Sequence, residues 1–323
     1  MTLLPRAVHW LFVAFVLATT AVTAQTYPVK PVRVVIPWPP GGANDVGGRI
    51  VMPRLAAALG QQFPIDNRGG AGGNIGADIV AKAAPDGYTI MVHSITHVAN
   101  AHLYKKLPFD VLRDFAPIGL LVSQASVLTV HPSLPANSVK EFIALARARP
   151  DEIIYSTAGN GSIPHLSMAL FSAMTNTKLV HVPYKGGGPQ AIALIAGESQ
   201  ASFATVTSVL AHIRTGRLRA LGVSTTNRVR VLPDVPTIAE AGVPGFDMSP
   251  WIGVFAPAGT PRAVIEKLNA ELNKALRLPD VAKSLSAEGF EPWVSTPEEF
   301  AARLKLDYDK YAELIRITGA HVE

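Results

Sequence analysis

Two loops in this chain combine small residues, hydroxyls and amides at the start of a helix, where a backbone can hold an anion without any basic side chain. The first runs Trp38-Pro39-Pro40-Gly41-Gly42-Ala43-Asn44-Asp45, after an apolar β-rich run and before a helical pattern. Glycine there lets the main chain approach a ligand closely, and a helix N-terminus adds unpaired N–H groups with a partial positive charge. The second runs Ser156-Thr157-Ala158-Gly159-Asn160-Gly161-Ser162, with His165 just beyond, again between a strand and a helix. It supplies hydroxyls, an amide and flexible backbone. The chemistry that suits both is noncovalent capture of a carboxylate held between two facing loops. Taken singly, the first is equally a glycine-rich turn; for the second the alternative is a solvated loop, with binding favoured because two such loops in different lobes can face one ligand.

Other motifs are weaker. Tyr184-Lys185-Gly186-Gly187-Gly188-Pro189 follows a strand and superficially resembles a phosphate cradle, but the required Gly-Lys-Ser/Thr ending is missing. It reads as a glycine-rich turn at the rim of a cleft or at the base of a second lobe. Arg68-Gly69-Gly70-Ala71-Gly72-Gly73-Asn74-Ile75-Gly76 serves equally as an anion loop or as tight packing of a helix start. His93 and His97 are four apart with His102 beyond, but no His-Glu-x-x-His is present and turn-like neighbours speak against a clear helix; no metal site is expected. His165 and His181 suit structural roles, with His165 near enough to the second loop to touch a ligand. Gly-x-Ser-x-Gly is absent, and no local carboxylate pair stands in an acid–base context. No catalytic residue and no cofactor are assigned.

The elements that must position these loops alternate. Strands are expected over 32–38, 63–67, 88–93, 153–156, 180–183, 202–205, 220–224 and 251–256. Helices are expected over 45–59, 75–83 and 164–175, and between the later strands. Such alternation argues for α/β layers around a mostly parallel sheet. Ser138 with Glu141 forms a capping box for a helix to about Arg149. Thr260-Pro261 and Thr296-Pro297 each read as a cap followed by proline at the first helical position, with Glu299 completing a second box. The stretch 118–130 is long enough for two strands joined across a boundary, and 244–251 is a turn-rich return. These crossings divide the chain into lobe one, 25–125 plus 250–323, and lobe two, 126–249. A doubly crossed chain makes a cleft that closes around a ligand.

The chain has 323 residues, 48% hydrophobic and 16% charged, enough for one large core or two ordinary ones. Arg6 precedes an apolar run over 8–17, and Val22-Thr23-Ala24 follows, which reads as a signal peptide of 1–24 cleaved before Gln25. The run is short for a membrane anchor. There is no cysteine, which excludes disulfides, thiolate metal sites, a cysteine nucleophile and a lipid-modified cysteine. The net charge of +5 is spread along the chain without a basic run, so a nucleic-acid partner is not expected, and the mild excess suits anions.

Across nearly the whole mature length the sequence resembles the Bug/TctC family of periplasmic solute receptors of tripartite tricarboxylate transporters. The resemblance is carried by PPGGANDV at 39–46, NRGGAGGNIGADIVAKAAPDGYT at 67–89, LPFDVLRDFAPI at 107–118, YSTAGNGS at 155–162 and HVPYKGGGP at 181–189. LPDVPTIAEAGVPGF at 232–246, APAGTP at 256–261 and STPEEFAA at 295–302 complete it. It implies a type II periplasmic-binding-protein fold, with two α/β lobes around a ligand cleft and a chain crossing twice between them. It further implies a periplasmic receptor that catalyses nothing, with a small di-/tricarboxylate or aromatic acid held by backbone amides and water from loops 39–45 and 156–162. A monomer delivering its ligand to inner-membrane transporter subunits is the reading, with a membrane sensor as the other partner and a periplasmic enzyme as a remoter alternative. Three departures bear on the ligand. Trp38 replaces a frequent phenylalanine. Ala204 and Thr205 stand where Asp-Asn is common, which disfavours a cationic amine. His93-Ser94-Ile95-Thr96-His97 replaces a loop of smaller residues, bringing Ser94 to the rim. Trp38 and Trp251 are the candidates to wall an aromatic ring.

Overall fold

Short runs of valine, isoleucine and leucine, closed by glycine or proline, form eleven strands and ten helices in the computed structural model, which describes residues 27–320. The expected signal peptide lies outside the described residues. The chain begins with β1 (Arg33–Ile36), α1 (Ala43–Leu59), β2 (Ile65–Asn67), α2 (Asn74–Ala81), β3 (Thr89–Ser94), α3 (Thr96–Leu103) and β4 (Phe115–Gln124). It continues through β5 (Ser126–Val130), α4 (Val139–Ala148), β6 (Ile154–Thr157), α5 (Ile163–Thr175) and β7 (Val180–Pro183). Next come α6 (Gly187–Ile195), β8 (Ala201–Thr205), α7 (Val206–Arg214) and β9 (Arg219–Val223). It ends with β10 (Trp251–Pro257), α8 (Arg262–Arg277), α9 (Pro279–Ala287), β11 (Phe290–Pro292) and α10 (Pro297–Thr318). No helix among the described residues is long and apolar enough to cross a membrane.

The strands make two sheets, ordered β11-β4-β10-β3-β1-β2 and β7-β6-β8-β5-β9. Both are mixed, where a mostly parallel sheet was expected. β1 runs parallel to β2 and β3, and β6 parallel to β7 and β8. The reversal comes in part from the strands that enter each sheet from the other one, and β11 also runs antiparallel to β4. β5 lies antiparallel between β8 and β9, and β10 antiparallel between β3 and β4. Only Ala125 separates β4 in the first sheet from β5 in the second. The return segment runs alongside this crossing, where the Gln124 amide donates to the Pro250 carbonyl at 2.9 Å and Met248 to Ser224 at 2.8 Å.

Packing joins the two sheets more than the strand order suggests. One apolar cluster sits under α1, α8 and α9, and another under α6 and α7. The largest runs from Val35 and Met91 in the first sheet to Phe203 in the second and to Phe142 and Phe171 on helices α4 and α5. Helix α10 packs on α3 and β4 and also reaches α5. Its buried Asp307 accepts from Trp251 Nε1 at 2.7 Å and from Arg303 Nε at 2.5 Å.

Three local expectations need correction. Ser138 accepts from the Glu141 amide, but the Glu141 carboxylate bonds the amide of Asn137, one residue upstream, so the box is half formed. Pro261 is the cap of α8 rather than its first residue, and Thr260 Oγ1 donates to Pro257 O at 2.8 Å. The segment around His97, read as turn-like, is helix α3, which tertiary burial of most of its residues holds in place. The box of Thr296 and Glu299 forms in full.

Gly253 shows how tightly β10 is covered. A β-carbon there would fall 2.3 Å from the fully buried ring of Phe300 on α10. Gly253→Ala should therefore lower stability by about 1–3 kcal/mol, read as a drop in the urea midpoint, with Phe300→Leu recovering part of the loss. An unchanged midpoint would mean that the ring is free to move aside.

Candidate functional site

Where two sheets face each other, a strand–turn–helix chain brings its helix starts to the space between them. A cavity open to solvent lies there and is lined from both sheets. From the first sheet come Trp38, Pro39, Pro40, Gly42, Ala43 and Asn44 at the start of α1, Ser94 and Thr96 at the start of α3, and Gln124 at the end of β4. From the second come Ala158, Ser162, Ile163 and Pro164 at the start of α5, residues 185–190 at the start of α6, and Thr205 at the start of α7. Five helix N-termini converge. None carries a side-chain cap: Gly42, Ile95, Ser162, Gly186 and Thr205 hold the cap positions without a capping hydrogen bond. Of the helices that start elsewhere, α4 and α10 are capped by Ser138 and Thr296, while α2, α8 and α9 also lack a side-chain cap. Each uncapped end carries about half a positive charge and N–H groups lacking helix partners. No Asp, Glu or His is among the lining residues, and the exposed Lys185 is the sole charged one.

The residues expected to bind ligand therefore separate. Trp38, Pro40, Gly42, Asn44, Ser94, Ala158, Ser162 and Thr205 line this cavity, and the others do not. Asp45 points beneath the first loop, where its carboxylate accepts from Gly41 N at 2.9 Å, Arg49 Nε at 2.9 Å and Asn67 Nδ2 at 3.0 Å. It fixes the turn rather than facing the space. Ser156 and Thr157 are fully buried: Ser156 Oγ accepts from Ser199 Oγ at 2.9 Å, and Thr157 Oγ1 lies 2.7 Å from His181 Nε2. Gly159 O receives Ser162 Oγ at 2.6 Å, and Gly161 N donates to His165 Nδ1 at 3.1 Å, so the second loop is braced from within. Gly159 and Asn160 line a second, outer depression shared with Gly69, Gly72 and Tyr104. His165 stacks on His181 with centroids 4.4 Å apart, and Ala204 sits in the apolar cluster behind β8. Trp251 does not wall the cavity: it is fully buried against Phe300.

The third loop, read from sequence as a glycine-rich turn at a cleft rim or lobe base, was not among the expected ligand contacts, yet residues 185–190 line the cavity. Its pattern of strand, glycine run and helix matches the other two, and that signal was visible. Gly186 has φ 104° and stands so close to Pro39 that a β-carbon would meet the proline ring at 3.3 Å. Here the two lobes touch. Gln124 and Thr96 carried no comparable signal, because their place depends on which strand ends meet.

The histidines belong to packing. His93 Nδ1 accepts from Ser94 N at 2.9 Å and Trp38 Nε1 at 3.4 Å, which ties the cavity wall to β3. His97 lies among Phe109, Phe115 and Phe255, with Nε2 3.2 Å from Val111 O. Burial pushes His93 well below its usual value, His97 down to about 4, and His181 down to about 4. Among the described residues, no three His, Cys, Asp or Glu side chains converge as for a metal. Burial alone raises the pKa of Asp45, but hydrogen bonds from Arg49, Gly41 and Asn67 outweigh it and hold the carboxyl below its ordinary 3.8.

Asp45 thus lends stability above its unfolded pKa that is lost as pH falls through the lowered folded value. Asp45→Asn should cost about 1–3 kcal/mol at neutral pH, and the gap from wild type should close as pH falls below 3.8. Both proteins should also weaken between 6.5 and about 4, because His97 and His181 bind protons more readily when unfolded. Chemical unfolding across pH measures both, and a pH-independent gap would remove the ionised brace.

Residues 48–319 match the family model described as tripartite tricarboxylate transporter family receptor. The chain is 37% identical to Protein BugT of Bordetella pertussis over 319 residues, 98% of each chain. Among solved structures it is similar to Rpa4515 of R. palustris with adipate (TM-score 0.88, 34% identity, 92% of this chain and 100% of that one). It is also similar to MatC of Rhodopseudomonas palustris with bound malate (TM-score 0.85, 32% identity, 90% and 100%).

Proposed function

The chain belongs to the tripartite tricarboxylate transporter receptor family, TctC, and from that premise we propose that it is a periplasmic receptor for a small carboxylate. The observation that carries this reading is the convergence of five uncapped helix N-termini on a cavity with no acidic lining residue. Such a space is positive without a guanidinium, and its donors are fixed by the backbone before any ligand arrives. Two similar proteins are named with adipate and malate, both dicarboxylates, which supports the same ligand chemistry here. Trp38, Pro40, Gly42, Asn44, Ser94, Ala158, Ser162 and Thr205 form the proposed contact set. Lobe one is 25–125 with 250–323, and lobe two is 126–249. Capture rather than catalysis is favoured because no His, Asp or Glu lines the cavity to activate a serine or threonine hydroxyl. The receptor delivers its ligand to inner-membrane transporter subunits and acts as a monomer after losing residues 1–24.

Thermal unfolding of residues 25–323, refolded from denaturant to strip carried-over ligand, tests the reading against mono-, di- and aromatic carboxylates. A true ligand at a hundredfold excess over Kd stabilises by about 2.7 kcal/mol, and the shift should vanish when its carboxylate is amidated. A folded sample that no acid stabilises would overturn it.

A further inference from the structure

In a cavity walled by donors, three side-chain oxygens are acceptors with nothing to accept. They are Asn44 Oδ1, Gln124 Oε1 and Gln190 Oε1, on residues 6%, 5% and 0% exposed that all line the cavity. A carboxylate brings only acceptors, so it answers the N–H groups and leaves these oxygens unmatched or opposed. An amide with no fixed bonds solves this by turning over to present its N–H₂ end. Gln190 is held against doing so. Its Nε2 donates to Ser156 O at 3.3 Å and to the hydroxyl of Ser202, while that hydroxyl donates to Ser156 O at 2.7 Å. Turning the amide would set Oε1 against the Ser156 carbonyl, two acceptors face to face. The acceptor of Gln190 therefore stays in place.

We infer that the ligand carries, besides its carboxylate, a neutral hydrogen-bond donor, a hydroxyl or an amide N–H, received by Gln190 Oε1; this rests on the carboxylate reading above. Gln124, at the end of β4 beside the crossing between lobes, faces the same group from the other side or turns to serve the carboxylate. An ammonium is the wrong donor here. It would meet five positive helix ends, and no carboxylate lines the cavity to balance it. A buried acceptor left unpaired by the wrong ligand sets the selectivity, as in any site built around a hydroxyl.

Calorimetry on the refolded protein with succinate, malate and aspartate, which differ only at one carbon, reads this directly. Benzoate against its three hydroxy isomers repeats it for aromatic acids. The hydroxy acid of the responding series should bind about tenfold or more tighter than its parent, and aspartate should bind more weakly than succinate. Gln190→Met, checked for an intact unfolding transition, should remove the hydroxyl preference while still binding the parent acid. Equal affinities for parent and hydroxy acid, aspartate as the tightest ligand, or a preference surviving in Gln190→Met would each overturn the inference and leave the carboxylate reading standing. If no acid in either series binds, the carboxylate reading fails and this inference with it.

Discussion

An α-helix leaves its first N–H groups without partners, and the place where a fold collects those ends decides much of what it can bind. Here the strand–turn–helix grammar sets helix starts beyond the carboxyl ends of strands, and two sheets turn those ends toward one space. The starts of α1, α3, α5, α6 and α7 line it together. Other features follow as supports. Asp45 gives up any role in the space to hold Gly41, Arg49 and Asn67 around the first turn. His93 braces Trp38 from behind, and the Thr157–His181 contact braces the second loop. Buried polar groups cost stability unless paired, and the bonds these make hold a loop in shape, although His93 Nε2 has no partner among the described residues.

Dividing the donors between two bodies couples binding to closure. The first sheet contributes two helix ends and the second three, so a ligand that meets all of them does so only with the lobes together. The contact of Gly186 with Pro39 marks how close they come. A state that engages both sets binds better than one that engages either, and that difference is what shifts the population toward it. The crossings suit such motion, since a single residue separates β4 from β5 and the return strand lies beside them. The largest apolar cluster and α10 span both sheets.

Much of this is legible in the sequence. Glycine-rich loops between apolar runs and helical patterns located α1 and α5, and the stretch 118–130 announced a strand that breaks in two. What misled was the assumption that residues in a binding loop face the ligand. Asp45, Ser156 and Thr157 have the chemistry of ligands, yet each is fastened within its own lobe. Polarity in a sequence does not say which side of a turn a side chain takes. Gln124 and Thr96 were invisible for another reason, since their proximity to the other loops comes from strand order alone. Helix α3 was missed because its helicity comes from burial among neighbours rather than from a periodic pattern.

A site built from backbone ends differs in kind from one built on arginine. Arginine carries a full charge wherever it goes and must be ordered against a carboxylate each time one binds. Helix ends are ordered at folding, so little is lost to entropy when a ligand arrives. Their partial charges also make a shallower well than a buried ion pair, which suits a receptor whose ligand has to leave again. Such a field recognises any small anion, however, and discriminates poorly by itself. Discrimination then falls to groups of opposite sense set among the donors, and Gln190, fixed by Ser156 and Ser202, is placed to supply it. On this view the helix ends determine that an acid binds, while the side-chain acceptor held in place determines which acid.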